Sequence, residues 1–460
     1  MDTTEDAGTS LSAEFSSAEP EFSKKRVLRS ASWATAQQLV VLGSTALSAV
    51  IIARTLSVSD FGIFSYATSL ASIGTAVLAA GLSGLAVKML VVEQHHAGAL
   101  ITALILIREG FAFLAFGVLL AVSTTSGANE VVTASALSLT VMFARAFDAT
   151  EYWFQARTNS GKTAPIRIGV VLAMLLVRVI AAMAGANLVQ FVLLYVAEAF
   201  LVSAALLARY LTVGGAPGLG KPEFATPRRL LGQSWILLLS EVARQINTRG
   251  SIIVIQIFMS GASVGLYSAA ARLSELFYFL PVVFMTATFP RLLSQRKKFG
   301  PDSEQYRSEL QRSYDQSCWS GIGIAAVVWL VGPPALTMLY GPAYAASGAI
   351  LQIHVLALPF VFMAAVLSKW ILAENQLVAA LIRHTLGAVL NIALTITLLP
   401  TLGLIGAAYA SVAAYLVASY LSCFASKSTR PAGVQMTLAL VYPVRLAWGA
   451  LPQSWKGRSR

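Results

Sequence analysis

Apolar runs of membrane-spanning length divide most of this chain. A membrane-spanning helix needs about 20 mostly apolar residues, whereas the strands of a membrane barrel alternate in polarity over about ten. The composition agrees with helices in lipid, since 57% of the residues are hydrophobic and only 12% are charged. The chain is therefore predicted to be an all-α integral membrane protein with about twelve transmembrane helices. The runs cover 30–53, 62–87, 97–122, 131–152, 164–186, 188–210, 231–258, 264–289, 316–339, 346–373, 377–399 and 403–425.

Lys and Arg alternate between successive connections of these runs. Basic residues cluster before the first run, in the connections 4–5, 6–7 and 8–9, and after the last run, while the other side has little besides Arg54. Positive residues mark the cytoplasmic side of a membrane protein. Both termini are therefore predicted to be cytoplasmic. The formal net charge of +12 follows from this topology and from attraction to anionic lipid, so no nucleic-acid partner is predicted.

A short motif occurs twice, at the start of the second run and of the eighth run. The first copy lies in "ARTLSVSDFGIFSYATS" (53–69) and the second in "MSGASVGLYSAAARLSE" (259–275). Phe61-Gly62-Ile63-Phe64-Ser65 aligns with Val264-Gly265-Leu266-Tyr267-Ser268. Because each copy opens the second helix of a six-helix set, the pattern predicts a parallel repeat about an axis along the membrane normal. Such a repeat suits rocking of two halves around a central cavity.

The repeat and the composition predict five regions. These are a disordered cytoplasmic tail (1–24), an N-terminal six-helix half (25–210), a Gly- and Pro-rich cytoplasmic linker (211–228), a C-terminal six-helix half (229–425) and a basic cytoplasmic tail that can lie in the membrane interface (426–460). The first 22 residues are rich in Ser, Ala, Thr and acids and lack an apolar core. They are therefore not predicted to be a cleaved signal peptide.

Several stretches resemble the Wzx-type polysaccharide flippases of the multidrug/oligosaccharidyl-lipid/polysaccharide exporter (MOP) superfamily. They are "ARTLSVSDFGIFSYATSLAS", "GASVGLYSAAARLSE" followed by "TFPRLLS", "LYGPAYAASGAILQI", and the closing pair of runs with Asn391, the Pro400-x-x-Gly403 turn and Gly406-Ala-Ala. The resemblance covers roughly residues 25–425. It implies movement of undecaprenyl-pyrophosphate-linked oligosaccharide across the cell inner (cytoplasmic) membrane for O-antigen, capsule or exopolysaccharide synthesis. It also implies membrane lipids, a polysaccharide polymerase and chain-length proteins as partners.

The seventh run carries a polar stripe that a lipid-facing helix would not. Glu241, Arg244, Gln245 and Thr248 are spaced i, i+3, i+4, i+7 and share one helical face, and Arg249 lies beside it. A charge inside the bilayer faces a cavity or a partner by default, and Arg is suited to phosphate. These residues are therefore predicted to line a substrate cavity, with an internal Glu241–Arg244 pair as the alternative.

Other runs contain further cavity candidates. They are Arg145 and Asp148 with Glu151 in the fourth run, Arg178 in the fifth, Arg272 with Glu275 in the eighth, and Gln37 in the first. Each has a structural alternative: an ion pair near the surface for Arg145–Asp148, a pair with Glu198 for Arg178, a local pair for Arg272–Glu275, and a helix–helix hydrogen bond for Gln37. Lys369 and Arg383 flank the turn "AENQ" and are interpreted as cations that reach the interface.

The sequence shows no nucleotide-binding or metal-ligand motif. Neither a GxxxxGK[ST] loop nor a His, Cys, Asp and Glu cluster with metal spacing is present, so no metal, cofactor or catalytic residue is predicted. Transport energy would then come from an ion or cargo gradient, with Glu241, Asp148 and Glu275 as proton-carrying candidates. An ion-coupled drug or cation antiporter and a lipid II-type flippase are the alternatives. A membrane polymerase or ligase is disfavoured, since the predicted outer loops are short and nearly free of titratable groups.

Overall fold

The computed structural model of the chain describes residues 24–450 except residues 80, 81, 93, 126, 223 and 224. Within these residues the regular structure is α-helical, with short 3-10 segments and no strand. The α-helices before the predicted linker are α1 (Lys24–Thr55), α2 (Val58–Ala79), α3 (Leu82–Val92), α4 (Ala97–Thr124), α5 (Asn129–Leu139), α6 (Val141–Ala146), α7 (Thr150–Ala156), α8 (Ala164–Met183) and α9 (Leu188–Thr212). Those after it are α10 (Ala225–Phe258), α11 (Gly261–Glu275), α12 (Phe279–Phe299), α13 (Glu304–Tyr340), α14 (Ser347–His354), α15 (Leu358–Ala373), α16 (Leu377–Ser419), α17 (Arg430–Leu440) and α18 (Tyr442–Ala450).

The all-helical membrane architecture predicted from the sequence is confirmed. Ten helices or uninterrupted helical runs among the described residues are long and apolar enough to cross a membrane. The 34-residue α10 is not among the ten, because it carries the charged and polar stripe noted above. The count of twelve spans, the cytoplasmic termini and the division into two halves at 211–228 stay predictions. Residues 1–23 and 451–460, parts of the two predicted tails, lie outside the described residues.

The last two predicted spans form one helical element with a break. Within α16, Gly403 has φ 60° and ψ −145°, a conformation that is open to glycine and strained for other residues. Pro400 lies just before the break and cannot donate a backbone hydrogen bond to the turn that precedes it. The predicted Pro-x-x-Gly turn is therefore the point at which α16 changes direction.

The two copies of the repeated motif pack directly against each other where α2 meets α11. A Cβ atom on Gly62 would lie 1.8 Å from the carbonyl oxygen of Gly261, and one on Gly265 would lie 2.1 Å from that of Val58. Backbones approach this closely only where no side chain separates them, as at other small-residue helix contacts in membranes. This contact, called below the α2–α11 crossing, joins the first turns of the two helices.

Aromatic side chains pack together beside the α2–α11 crossing. The ring of Phe61 lies 6.2 Å from that of Tyr340 and 5.8 Å from that of Tyr344. The Tyr344 hydroxyl donates to the Ala53 carbonyl oxygen over 3.3 Å, and Arg54 donates to the Leu339 carbonyl oxygen over 2.7 Å. Helices α1 and α2 thus contact the end of α13 and the residues that follow it, beside the α2–α11 crossing.

A buried polar network joins α10 to both arms of α16. Ser251 donates to Asn391 Oδ1 over 3.0 Å and lies 3.2 Å from the hydroxyls of both Thr395 and Ser411. The Tyr267 hydroxyl on α11 lies 2.8 Å from that of Ser411. Buried hydroxyl and amide groups need such partners, and here they fix the rotation of α10 about its axis. The polar stripe of α10 is positioned as a result.

The helices after residue 429 pack on α13. Trp319 donates from Nε1 to the Ala439 carbonyl oxygen over 2.9 Å, and Arg445 pairs with the buried Asp315 at 3.1 Å. On the opposite side of α17, Val434 and Leu438 are exposed. This arrangement is compatible with the predicted interfacial segment, although neither helix was predicted individually.

Candidate functional site

A cavity of about 450 Å³ lies between α1, α10, α11, α12, α15 and α16. This volume is within the range of about 300–1,000 Å³ typical of ligand sites. Small side chains leave the space: Ala46 and Ala49 come from α1, and Ala364 and Ala365 from α15. Four of the nine residues predicted to bind substrate line the cavity, together with the ion-coupling candidate Glu275. The four are Arg244, Gln245, Arg249 and Arg272.

Two of the cavity arginines are paired with carboxylates. Arg244 donates from Nε to Glu241 Oε2 over 2.8 Å, and its Nη2 contacts the other oxygen. Arg249 engages Glu275 through both terminal nitrogens, at 2.9 and 3.1 Å. Bidentate contacts of this kind are the strong form of an ion pair. The i, i+3 pair was anticipated, but Arg249 and Glu275 lie on different helices and no spacing rule in the sequence joins them.

Two further cavity arginines have no carboxylate partner among the described residues. Arg272 contacts Thr68 Oγ1 at 3.5 Å and lies 5.7 Å from the ring of Phe61. Arg383 donates to the Ser368 hydroxyl over 2.7 Å, and its Nε is buried without a partner. An uncompensated buried charge is costly. Both guanidinium groups are therefore suited to an anion that enters the cavity.

The charged candidates of the fourth run lie outside the cavity. Asp148 contacts Arg145 at 3.3 Å and Arg167 at 3.6 Å, and it accepts a hydrogen bond from Ser203 over 2.8 Å. Arg167 also contacts Glu151 at 2.7 Å. The structure thus places Asp148, a substrate and ion-coupling candidate, in a network shared with α8 and α9 that balances its charge.

The remaining two candidates are also away from the cavity lining. Arg178 pairs with Glu198 at 2.7 Å and donates to Ser48 over 3.2 Å, which is the structural alternative considered from the sequence. Gln37 lies half-buried on α1, nearer the start of that helix than Leu42, which lines the cavity. Arg145, Asp148, Arg178 and Gln37 therefore do not line the cavity that contains the arginines of α10 and α11.

The cavity contains residues that sequence reasoning missed. Arg383 was interpreted as an interfacial cation, whereas it is only 6% exposed and lies in the cavity wall. His384 and Tyr415 line the same space, and His384 Nδ1 lies 2.9 Å from the Ser240 hydroxyl. A usable signal was present, since Arg383, Gly387 and Asn391 recur at i, i+4, i+8 and mark the bundle-facing side of α16.

The arrangement favours anionic polar groups over cations. Four arginines and one glutamate line the cavity, and Glu241 compensates only Arg244. In low dielectric surroundings a surplus of fixed positive charge attracts anions strongly. Within the described residues no group of three or more His, Cys, Asp or Glu side chains is placed to hold a metal ion.

Two family sequence models match this chain. The model described as "Polysaccharide biosynthesis protein" matches residues 27–295, and the model described as "Lipid II flippase MurJ" matches residues 166–452. Each match covers more than half of the 460 residues. Their overlap spans the predicted linker, so neither match is confined to one half of the bundle.

A curated relative is similar over a shorter stretch. It is the "Probable flippase AglR" of Haloferax volcanii, which is 29% identical over 178 residues. The alignment covers 37% of this chain and 36% of that protein. The chain therefore spans about a third of the length of the curated relative it matches.

Solved structures share the fold over nearly the whole chain. An inward-facing multidrug resistance MATE family transporter of the MOP superfamily aligns with a TM-score of 0.69 at 13% identity, covering 90% of this chain and 96% of that chain. The lipid II flippase MurJ in an inward closed conformation gives 0.67 at 15%, covering 92% and 93%. A MOP superfamily transporter from Pyrococcus furiosus, described by a binding pocket of reverse polarity, gives 0.59 at 12%, covering 90% and 96%.

Proposed function

Because the chain belongs to the polysaccharide flippases of the MOP superfamily, we propose that its cargo is an oligosaccharide linked through pyrophosphate to undecaprenol. It carries this cargo across the cytoplasmic membrane by alternating access. Family and fold are those of a multi-pass membrane transporter. We further propose that transport takes place in the cell inner membrane. The cargo then enters polysaccharide synthesis, together with a polymerase and chain-length proteins.

The surplus of positive charge in the cavity carries the proposal. A pyrophosphate esterified at both ends is a compact dianion, and guanidinium groups bind phosphate through parallel charge-assisted hydrogen bonds. Arg272 and Arg383 are free of carboxylates within the described part of the chain, so they are proposed as the principal anion ligands. Arg244, Arg249 and Gln245 are proposed to contact the remaining phosphate oxygens and the first sugars.

The same charge distribution separates the alternatives. A drug or cation antiporter would need carboxylates facing the cavity to receive a cation, but Glu275 is engaged by Arg249. A lipid II-type flippase fits the positive cavity equally well, and the match to the MurJ family model over 166–452 favours it as the second candidate. The two flippase proposals differ only in the glycan attached to the pyrophosphate.

A depletion strain tests the proposed function. We expect complete lipid-linked oligosaccharide repeat units to accumulate on the inner leaflet while surface polysaccharide disappears and peptidoglycan synthesis continues. Accumulation of peptidoglycan precursor followed by lysis would favour the lipid II candidate instead. Repeat units that reach the outer face but are not lengthened, or an intact surface glycan with altered drug sensitivity, would contradict both flippase proposals.

Proton coupling through Glu241, Glu275 or Asp148 is proposed as the energy source for transport. Glu275 is the best placed of the three, because it lines the cavity and its charge is held by Arg249 across two helices. Protonation would release Arg249 toward the cargo. Transport into vesicles that proceeds unchanged after the pH gradient is collapsed would remove this coupling.

A further inference from the structure

A second, smaller cavity also has Arg383 in its wall, and no residue of α1 lines it. It has a volume of about 170 Å³ and lies between α15, the start of α16 and residues 422–429. Its polar lining consists of hydroxyl and amide groups and one cation, namely Gln376, Arg383, Ser422, Ser426, Ser428 and Thr429. No carboxylate lines it. The volume is below the range of about 300–1,000 Å³ usual for whole small-molecule ligands, so the space suits a single headgroup.

Arg383 belongs to the walls of both cavities. Its guanidinium donates to Ser368, which lines the larger cavity but not the smaller one. The residue is only 6% exposed, and its buried Nε has no hydrogen-bond partner. A buried donor without a partner costs roughly 1–3 kcal/mol, and more when charged. The position is thus unfavourable unless an acceptor reaches the guanidinium.

The smaller cavity also reaches the protein surface. Ser426 and Ser428 are exposed, in contrast to the buried Thr429 deeper in the wall. The Ser426 and Ser428 hydroxyls lie 3.0 Å apart, and Thr429 donates to the Cys423 carbonyl oxygen over 2.8 Å. A hydroxyl has one hydrogen to donate, and Ser422, like Thr429, donates its hydrogen to a backbone carbonyl oxygen. The Ser426–Ser428 pair leaves one hydroxyl hydrogen free for a phosphate oxygen at the rim of the cavity that Arg383 also lines.

We propose that this smaller cavity is a separate phosphate-binding site in which Arg383 is the charged ligand and the Ser426–Ser428 pair supplies the neutral hydroxyl donor. Because Arg383 also faces the larger cavity, a phosphate held there is adjacent to the cargo site. The inference deepens the proposed function, on which it rests for the identity of the ligand as cargo pyrophosphate. A resident anionic lipid headgroup has the same chemistry and is the other source of phosphate.

Thiol protection reads this site without any measurement of transport. The buried Cys318 and Cys423 stay in place, because Cys423 lines the cavity, and the unsubstituted protein gives the background labelling. Ala425→Cys then places a thiol at an exposed lining position that is not a proposed ligand. We expect inorganic pyrophosphate at about ten times its Kd to slow labelling of this thiol roughly tenfold. Lys427→Cys is the matched control, since residue 427 is exposed and close in sequence but does not line the cavity; its labelling should not change.

Three further variants assign the protection to the smaller cavity. Arg383→Gln should abolish it without changing the labelling rate in the absence of ligand, and Arg383→Lys should keep part of it. Arg272→Gln, which alters only the larger cavity, should leave it intact. Protection that survives Arg383→Gln, or that extends equally to Lys427→Cys, would overturn the proposal.

Bilayer nanodiscs identify the source of the phosphate. Protection by undecaprenyl pyrophosphate in phosphatidylcholine supports the cargo, whereas protection by added phosphatidylglycerol alone supports a resident lipid. Absence of protection by pyrophosphate and by both lipids overturns the site. Because the readout is a labelling rate, a normal surface glycan in the depletion strain would contradict the proposed function without changing this result.

Discussion

Two sets of charges, one in each predicted half of the bundle, differ in how they are compensated. In the N-terminal half, Arg178 is paired with Glu198 and the cluster around Asp148 balances arginines against carboxylates. In the C-terminal half, Arg272 and Arg383 remain without carboxylates among the described residues, and both face a cavity. A charged residue inside a membrane is therefore not by itself a sign of a binding site. The informative feature is charge that its own surroundings leave uncompensated.

The backbone does not share this asymmetry. Gly62 and Gly265 occupy equivalent positions in the repeated motif and meet in one crossing. The two copies of the motif therefore meet with similar geometry at the α2–α11 crossing, whereas the charged side chains named above differ in their partners. The charges around Arg178 and Asp148 hold helices together, whereas Arg272 and Arg383 belong to the proposed cargo site.

The largest effect is expected when the Arg178–Glu198 pair is broken. Arg178→Ala leaves the half-buried Glu198 unpaired, which costs up to about 3–5 kcal/mol, the range for buried pairs. We expect a lower unfolding temperature in detergent and reduced insertion, measured by fluorescence-detected size-exclusion chromatography. The double variant Arg178→Met with Glu198→Gln should recover most of the loss. A well-folded Arg178→Ala protein that no longer transports would instead place Arg178 in the functional machinery, which contradicts a purely structural role.

Arg272→Gln should weaken cargo binding and leave the stability of the protein unchanged. It removes a charged hydrogen-bond donor to an anion, a loss of roughly 1.5–3 kcal/mol, which corresponds to about a 10- to 150-fold weaker anion affinity. The unfolding temperature should stay within the range of the exposed control Arg291→Gln, whose partner Glu309 lies outside the cavity. Unchanged transport of lipid-linked oligosaccharide in this variant would remove Arg272 from the site.

The sequence could predict what depends on neighbours along one helix. Apolar run length indicated the membrane fold, the spacing of Glu241 and Arg244 indicated their pair, and Pro400 with Gly403 indicated the turn in α16. It could not predict the Arg249–Glu275 pair, because the partner is supplied by the packing of α10 against α11. Arg383 was misinterpreted for the same reason, since closeness to a helix end does not reveal whether α15 covers the side chain.

The α2–α11 crossing provides a test in which both halves should respond alike. Gly62→Ala and Gly265→Ala each place a Cβ against a backbone carbonyl oxygen, so the helices must separate, at a cost of about 1–3 kcal/mol. We expect similar decreases in unfolding temperature from the two variants, and little change from Gly117→Ala, where a Cβ would meet open space. A large effect from only one of the pair would show that the crossing is functionally asymmetric.

The smallest effect is expected at Arg145. Its side chain is 30% exposed, and Asp148 keeps its contacts with Arg167 and Ser203 when Arg145 is lost. Partly exposed ion pairs contribute about 0–1 kcal/mol, so Arg145→Gln should change neither the unfolding temperature nor transport by more than a small fraction. This residue was a cavity candidate from sequence on the same grounds as Arg272. A transport defect in Arg145→Gln comparable to that of Arg272→Gln, with stability preserved, would contradict this expectation. It would mean that Arg145 reaches the cargo path in another state of the transport cycle. The contrast between the two sets of charges would then describe one conformation and not the mechanism.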